Sequence, residues 1–336
     1  MSETLPALLR AIRYRVAMRT SPVPASPCLQ QTARLSDLLS LGPVVLDGAM
    51  GTELDSRGVD TCHALWSALA LTTAPETVRA VHSDYLDAGA RVVTTNTYQA
   101  TLPALLRAGH DAAAAREVIA AGVRLADEAV RRFEAKHPEA QVLIAGGLGP
   151  YGAYLADGSE YTGAYDVDIP KDSGFQEVHR PRIEVLAGQG VSLFALETLP
   201  RLDEAQALAG MVKDLVPSAE CWVSFQVRPD GGHLADGTPL AEAAGWVEGE
   251  ESVVAVGINC VAPDVVDRAL PVLRAATAKP LVAYPNSGDL YDPMTKTWRV
   301  GEERGGLAAL APSWIASDAP RSSHTIDMRS IVIEMM

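Results

Sequence analysis

Asn259 and Cys260 stand where the apolar run of SVVAVGINCVAP (252–263) gives way to a turn. A thiol carried to that point by a buried strand can be presented as a thiolate at the mouth of a parallel α/β fold, the place where such folds keep their chemistry. Other polar groups follow other apolar runs: Asp47 after PVVL, Thr94, Thr95, Asn96 and Thr97 after RVV, Glu197 and Thr198 after LFAL. Gln226 follows CWVSF, and Tyr284 and Asn286 close KPLVAYPN. If these ends meet, Asp47 and Glu197 can accept hydrogen bonds from an ammonium while backbone N–H groups take a carboxylate, which predicts an amino-acid ligand. Each residue also has a plainer reading. Asp47 precedes Gly48 and can be a turn residue, Thr94 to Thr97 can satisfy backbone at a sheet end, and Cys260 alone can be a small buried hydrophobe. Glu197 is harder to explain away, because four apolar residues precede it and an uncompensated buried carboxylate costs several kcal/mol or shifts its pKa. Tyr154, Tyr161 and Tyr165, in the glycine-rich segment 151–165, fill a loop core or wall a pocket.

The elements that must position these groups alternate. Short Val, Leu and Ile runs near 44–46, 91–95, 142–146, 192–197, 221–226, 253–258 and 281–285 are separated by helical stretches. One of these, PETVRAVHSDYLDAG, has proline at its first turn and glycine at its end. Apolar strands between helices mean a parallel sheet covered by helices, and seven in one chain predict a (β/α)8 TIM barrel whose eighth strand is atypical or replaced by the C-terminal tail. The open doubly wound alternative wants a G-x-G-x-x-G after its first strand. DGAMG lacks that spacing, so no nucleotide cofactor is expected. Residues 1–40, with a helical stretch over Leu5 to Met18 and then SPVPASP, read as an N-terminal extension, and 41–336 as the barrel domain.

Composition narrows the partners. The chain has 42 acidic and 28 basic residues and a formal charge of -14, spread along the sequence, which disfavours nucleic acid and anionic membranes. No apolar run approaches the roughly 18 to 20 residues needed to span a bilayer. The four cysteines, at 28, 62, 221 and 260, show no short-range pairing and read as reduced thiols of a cytoplasmic protein.

The ordered motifs VVLDGAMGTEL, VVTTNTYQA, LIAGGLGPYGAYLADGSEYTGAY, LFALETLP, GINCVAPD and LVAYPNSGDLYD resemble the homocysteine S-methyltransferase family over roughly residues 42 to 318. The resemblance implies a barrel that transfers a methyl group to homocysteine to give methionine. The LADGSEYTGAY loop is similar to that of the branch using a sulfonium donor, S-methylmethionine or S-adenosylmethionine. It further implies that Asp47 and Glu197 bind substrate and that Cys260 is the first of three zinc thiolates; Thr95 and Asn259, from their places at the strand ends, are expected beside the substrate. Zinc of that kind lowers the pKa of the substrate thiol and leaves one tetrahedral position for it. The chain departs from the family after Asp318, where SDAPRSSHTIDMRSIVIEMM replaces a strand ending in paired cysteines. A shifted reading frame would also give so abrupt a change. Cys62 lies after the first strand, Cys221 at the start of the fifth and Cys28 in the extension, while His324 is the one nitrogen donor of the altered tail. His324 and Asp327 are three apart and reach one ion only across a bend. Two expectations therefore stand side by side: a zinc-dependent methyltransferase, and a nonenzymatic amino-acid or sulfonium-binding barrel that has lost its metal. In either, SIVIEMM is positioned to serve as the closing strand.

Overall fold

The computed structural model describes residues 29, 33–167, 171–286, 290–292, 297–299, 310, 312, 314, 315 and 332–334, of which 171–173, 290–292, 297–299 and 332–334 are described by backbone alone. Eight parallel strands form a closed barrel: β1 (Val45–Leu46), β2 (Val92–Thr94), β3 (Leu143–Leu148), β4 (Leu193–Leu199), β5 (Glu220–Phe225), β6 (Val253–Asn259), β7 (Leu281–Tyr284) and, last in the chain, β10 (Val332–Glu334). Between β7 and β10 lies an antiparallel pair, β8 (Leu290–Asp292) and β9 (Thr297–Arg299). The first seven strands fall within a few residues of the stretches read from the sequence. The closing strand comes from the tail, as SIVIEMM suggested: Ile333 is in register with Val45 on one side and Ala283 on the other.

The two-residue period of each strand sorts its side chains. Along β4, Leu193 and Ala195 point into the barrel with Val92, Leu143, Ala145, Trp222, Ala255 and Val282. Phe194 and Leu196 point outward to the helices, joining Cys221, Val223 and Phe225 of β5 and Val256 and Ile258 of β6, and a register shift after Leu196 turns Leu199 outward as well. Continuing the inward row one step carries Glu197 to the barrel's upper end, and the same count carries Thr94, Ser224, Asn259 and Tyr284 there. The lower interior is thus apolar and the upper layer polar.

The floor is closed from the N-terminal side. Helix Leu35–Leu41, placed in the extension by the sequence reading, inserts Leu35 and Leu39 among the interior residues. Glu220 at the foot of β5, only 4% exposed, accepts hydrogen bonds from Arg34 Nε (3.0 Å), Ser36 N (3.2 Å) and Ser36 Oγ (2.5 Å). The helical stretch expected over Leu5 to Met18 lies outside the described residues. No helix among the described residues is long and apolar enough to cross a membrane.

Candidate active site

A cavity of about 220 Å³ opens at the C-terminal ends of the strands. All five residues singled out there from the sequence line it: Asp47, Thr95, Glu197, Asn259 and Cys260. Thr94, Asn96, Thr198, Tyr284 and Asn286 line it too, whereas Thr97 and Gln226 do not. Thr97 instead gives its hydroxyl to Gly147 O at 2.9 Å, so one member of the threonine cluster serves the backbone, as its plainer reading had it.

The two carboxylates share one end of the pocket. Asp47 Oδ2 accepts from Thr94 N at 2.8 Å and lies 3.6 Å from Nδ1 of the buried His82, near enough for charge to matter but too far for a hydrogen bond. Burial raises the Asp47 pKa above the ordinary value, opposed by His82 and by the bonds to Thr94. Glu197 opens to the pocket yet has protein on every other side. Burial, then repulsion from Asp47, pushes its carboxyl up to about 8, against the pull of the Tyr284 hydroxyl and the Arg182 charge. Tyr284 donates to Glu197 Oε2 at 3.4 Å and is itself held by Trp222 Nε1 at 3.2 Å and by Ser224 Oγ. Gly147 makes room for this arrangement: a Cβ there would sit 2.8 Å from Thr95 O and 3.3 Å from Glu197 Oε1. Thr95 accepts from Gly147 N at 3.0 Å, so it braces the neighbouring strand as well as facing the pocket.

Asn259 couples the ends of β4 and β6. Its Oδ1 accepts from Thr198 N at 3.0 Å, and its Nδ2 donates to Thr198 Oγ1 at 2.7 Å and to Cys260 Sγ at 3.3 Å. Both partners have left-handed backbone, φ +60° for Thr198 and +53° for Cys260. The other two non-glycine residues of positive φ among the described residues are Trp66 and Ala156, and all four line the cavity. Backbone held in such costly conformations gathers at functional sites, where the surrounding fold enforces it. No sequence signal announced this.

Zinc with thiolate ligands wants several donors around one point. Cys260 is the single cysteine among the lining residues, and among the described residues no three His, Cys, Asp or Glu groups converge on a metal position. Cys221 faces outward, is fully buried and is pushed up to about 12 by that burial, which suits a packed thiol and not a ligand. Cys62 is exposed and does not line the cavity. His324 and Cys28 lie outside the described residues. The described donors therefore do not fit a zinc site.

Trp66 and Tyr98, not singled out from the sequence, also line the cavity. Trp66 and Tyr98 meet edge to face with ring centroids 6.1 Å apart, and Glu160 and Tyr161 reach the cavity from the 151–165 segment. Of the three tyrosines noted in that segment, Tyr161 lines the pocket, Tyr165 packs in the core, and Tyr154 lies under the Arg107 guanidinium.

The family model described as Homocysteine S-methyltransferase matches residues 44–320. The homocysteine S-methyltransferase of Escherichia coli (strain K12) is 45% identical over 278 residues, 82% of this chain and 88% of that protein. Homocysteine S-methyltransferase YbgG of Bacillus subtilis (strain 168) is 40% identical over 81% of this chain and 86% of its own length. The crystal structure of the homocysteine methyltransferase MmuM from Escherichia coli, in its metallated form, superposes with a TM-score of 0.76 at 41% identity, covering 89% of this chain and 94% of that one.

Proposed function

Because the chain belongs to the homocysteine S-methyltransferase family, and is thus a methyltransferase acting on homocysteine, we propose that its methyl donor is a sulfonium, S-methylmethionine or S-adenosylmethionine. The observation that carries this reading is one cavity lined both by the carboxylates Asp47 and Glu197 and by Trp66, Tyr98, Tyr161 and Glu160. A sulfonium is a fixed, weakly hydrated cation, and aromatic faces beside a carboxylate favour such a cation over a neutral methyl donor. Asp47 and Glu197 receive the homocysteine ammonium, Thr95 bounds the space beside them, and Asn259 holds Thr198 and Cys260 at the reacting sulfur.

In the transfer, the homocysteine thiol gives up its proton and its sulfur lone pair forms a bond to the donor methyl carbon. The old carbon–sulfur bond of the sulfonium breaks, and its electron pair stays on the departing, now neutral, sulfide. With Asp47 and Glu197 engaged by the ammonium, the thiol proton passes to solvent. Holding thiol and methyl in line within one walled space supplies the orientation part of the rate. Zinc is implied by the family resemblance, and of the described cysteines Cys260 alone lines the cavity where it could offer a thiolate. The reduced thiols Cys62 and Cys221 accord with a reducing compartment, the cytoplasm.

The test is methionine formation from homocysteine with each sulfonium in turn and with a methylfolate, run on protein of measured zinc content. Turnover with a sulfonium alone is expected. Turnover with methylfolate alone, or tight sulfonium binding without any turnover, sinks the proposal. Activity that persists in zinc-free protein removes the metal from the reading and leaves the donor assignment intact.

A further inference from the structure

Three fully buried charged or titratable residues are unused by the reaction described above: His179 and Arg182, three apart on helix Lys171–Gly188, and Glu204 in the first turn of helix Leu202–Leu215. Burying such groups is costly unless every partner is in place. Arg182 donates through Nη1 to Thr97 O (3.1 Å) and Tyr98 O (2.5 Å), and through Nη2 to Gly149 O (2.9 Å) and His179 Nδ1 (2.9 Å). A guanidinium only donates, so Nδ1 is the acceptor and the imidazole proton sits on Nε2. That nitrogen donates to Glu204 Oε1 at 2.7 Å. Burial lowers the His179 pKa, which agrees with a neutral ring. Glu204 accepts two more bonds, from Tyr151 N (2.5 Å) and from the Tyr165 hydroxyl. The helix N-terminus favours its negative charge.

These bonds form one line. At one end are the backbone carbonyls after β2 and β3, among them that of Tyr98, whose side chain lines the cavity. At the other end are Tyr151 and Tyr165, the two ends of the segment from which Ala156, Gly158, Glu160 and Tyr161 reach the cavity. Tyr151 and Tyr165 also pack against each other with ring centroids 5.6 Å apart, and Tyr151 against Phe175 at 5.9 Å. The charged line thus spans the same two walls that the sulfonium reading assigns to the donor; it makes no hydrogen bond to Asp47 or Glu197, and only the Arg182 charge is felt at Glu197.

We propose that Glu204, through His179 and Arg182, is a positioning residue for the donor side of the pocket, fixing the distance between Tyr98 and the Glu160–Tyr161 wall. The assignment to the donor rests on the sulfonium reading; the bracing of segment 151–165 does not. Two variants test it. Glu204→Gln keeps the shape and removes the charge, and Tyr165→Phe removes one donor at constant volume, so that one remains if the other fails to fold. Each is measured for melting temperature, for amide hydrogen exchange, and for KM and kcat toward homocysteine and the sulfonium separately. The expected result is faster exchange across 151–161 with strands β4 and β6 unchanged, and a donor KM raised roughly tenfold, the equivalent of one lost charge-assisted bond. The KM for homocysteine is expected within about twofold of wild type. Unchanged exchange in 151–161 overturns the bracing. Faster exchange with both KM values raised alike, or with neither moved, overturns the assignment to the donor side. Wild-type protein that turns over no sulfonium instead defeats the functional reading, and the exchange measurement still decides whether Glu204 braces the segment.

Discussion

Replacing Glu197 with glutamine probes both the electrostatics of the pocket and its use. The folded Glu197 carboxyl titrates at about 8 and the unfolded one at about the ordinary 4.5, so between those values the native state binds the extra proton. The stability that Glu197 contributes is therefore fully present below the unfolded value and is lost as pH rises through the folded one. The limiting slope is ~1.4 kcal/mol per pH unit. Because the carboxylate opens to the cavity, solvent screens part of this, and a total of about 2 to 3 kcal/mol is expected between pH 5 and 8.5. Glutamine has no such dependence, and it also relieves Asp47 of a like-charged neighbour. Urea denaturation of wild type and Glu197→Gln at pH 5, 7 and 8.5 should show the variant gaining on wild type as pH rises, with the slopes against urea equal. At the same time kcat/KM for homocysteine should fall roughly 10- to 100-fold, for loss of a charge-assisted bond to the ammonium. Parallel pH–stability curves for the two proteins would refute the electrostatic argument. An unchanged kcat/KM would refute the role given to Glu197.

Other outcomes follow from single contacts. Homocysteine binding near pH 7 should release protons, since its ammonium draws the Glu197 carboxyl down from about 8; calorimetry in buffers of different ionisation enthalpy measures this. Cys260→Gly should be as stable as wild type or about 1 kcal/mol more so, because glycine adopts φ +53° without strain, while methyl transfer is lost; equilibrium denaturation and an activity assay check it. Asn259→Ala leaves Thr198 N without its acceptor and frees both left-handed residues, for an expected loss of about 2 to 3 kcal/mol in the same denaturation assay. Gly257→Ala places a Cβ 1.6 Å from Val282 O in the middle of the β6–β7 pairing; more than about 4 kcal/mol should be lost, seen as failure to recover folded protein by circular dichroism.

Much of the site was legible because strand periodicity is a local property. LFALE has a side-chain period of two, so once Leu193 and Ala195 face the interior Glu197 must follow, and VAVGIN places Asn259 by the same count. Cys221 begins its strand, at the end away from the rim, and in the barrel it is also one residue out of phase with the inward Trp222. Alternating apolar runs and helices fixed the barrel for a similar reason, since strands buried on both faces have few other ways to be covered. Tertiary structure decided what depends on groups far apart in the chain. It brought Asp47 close enough to Glu197 to raise the Glu197 pKa, and it used Val332–Glu334 to close the ring between β7 and β1. It also set Trp66, Ala156, Thr198 and Cys260 in left-handed conformations around one cavity. His179, Arg182 and Glu204 gave no motif to read, because a buried charge is recognisable only through the partners that offset its desolvation, and those partners come from β2, β3 and the 151–165 segment. Local pattern assigns a side chain to a face; only the closed barrel determines which faces share a pocket.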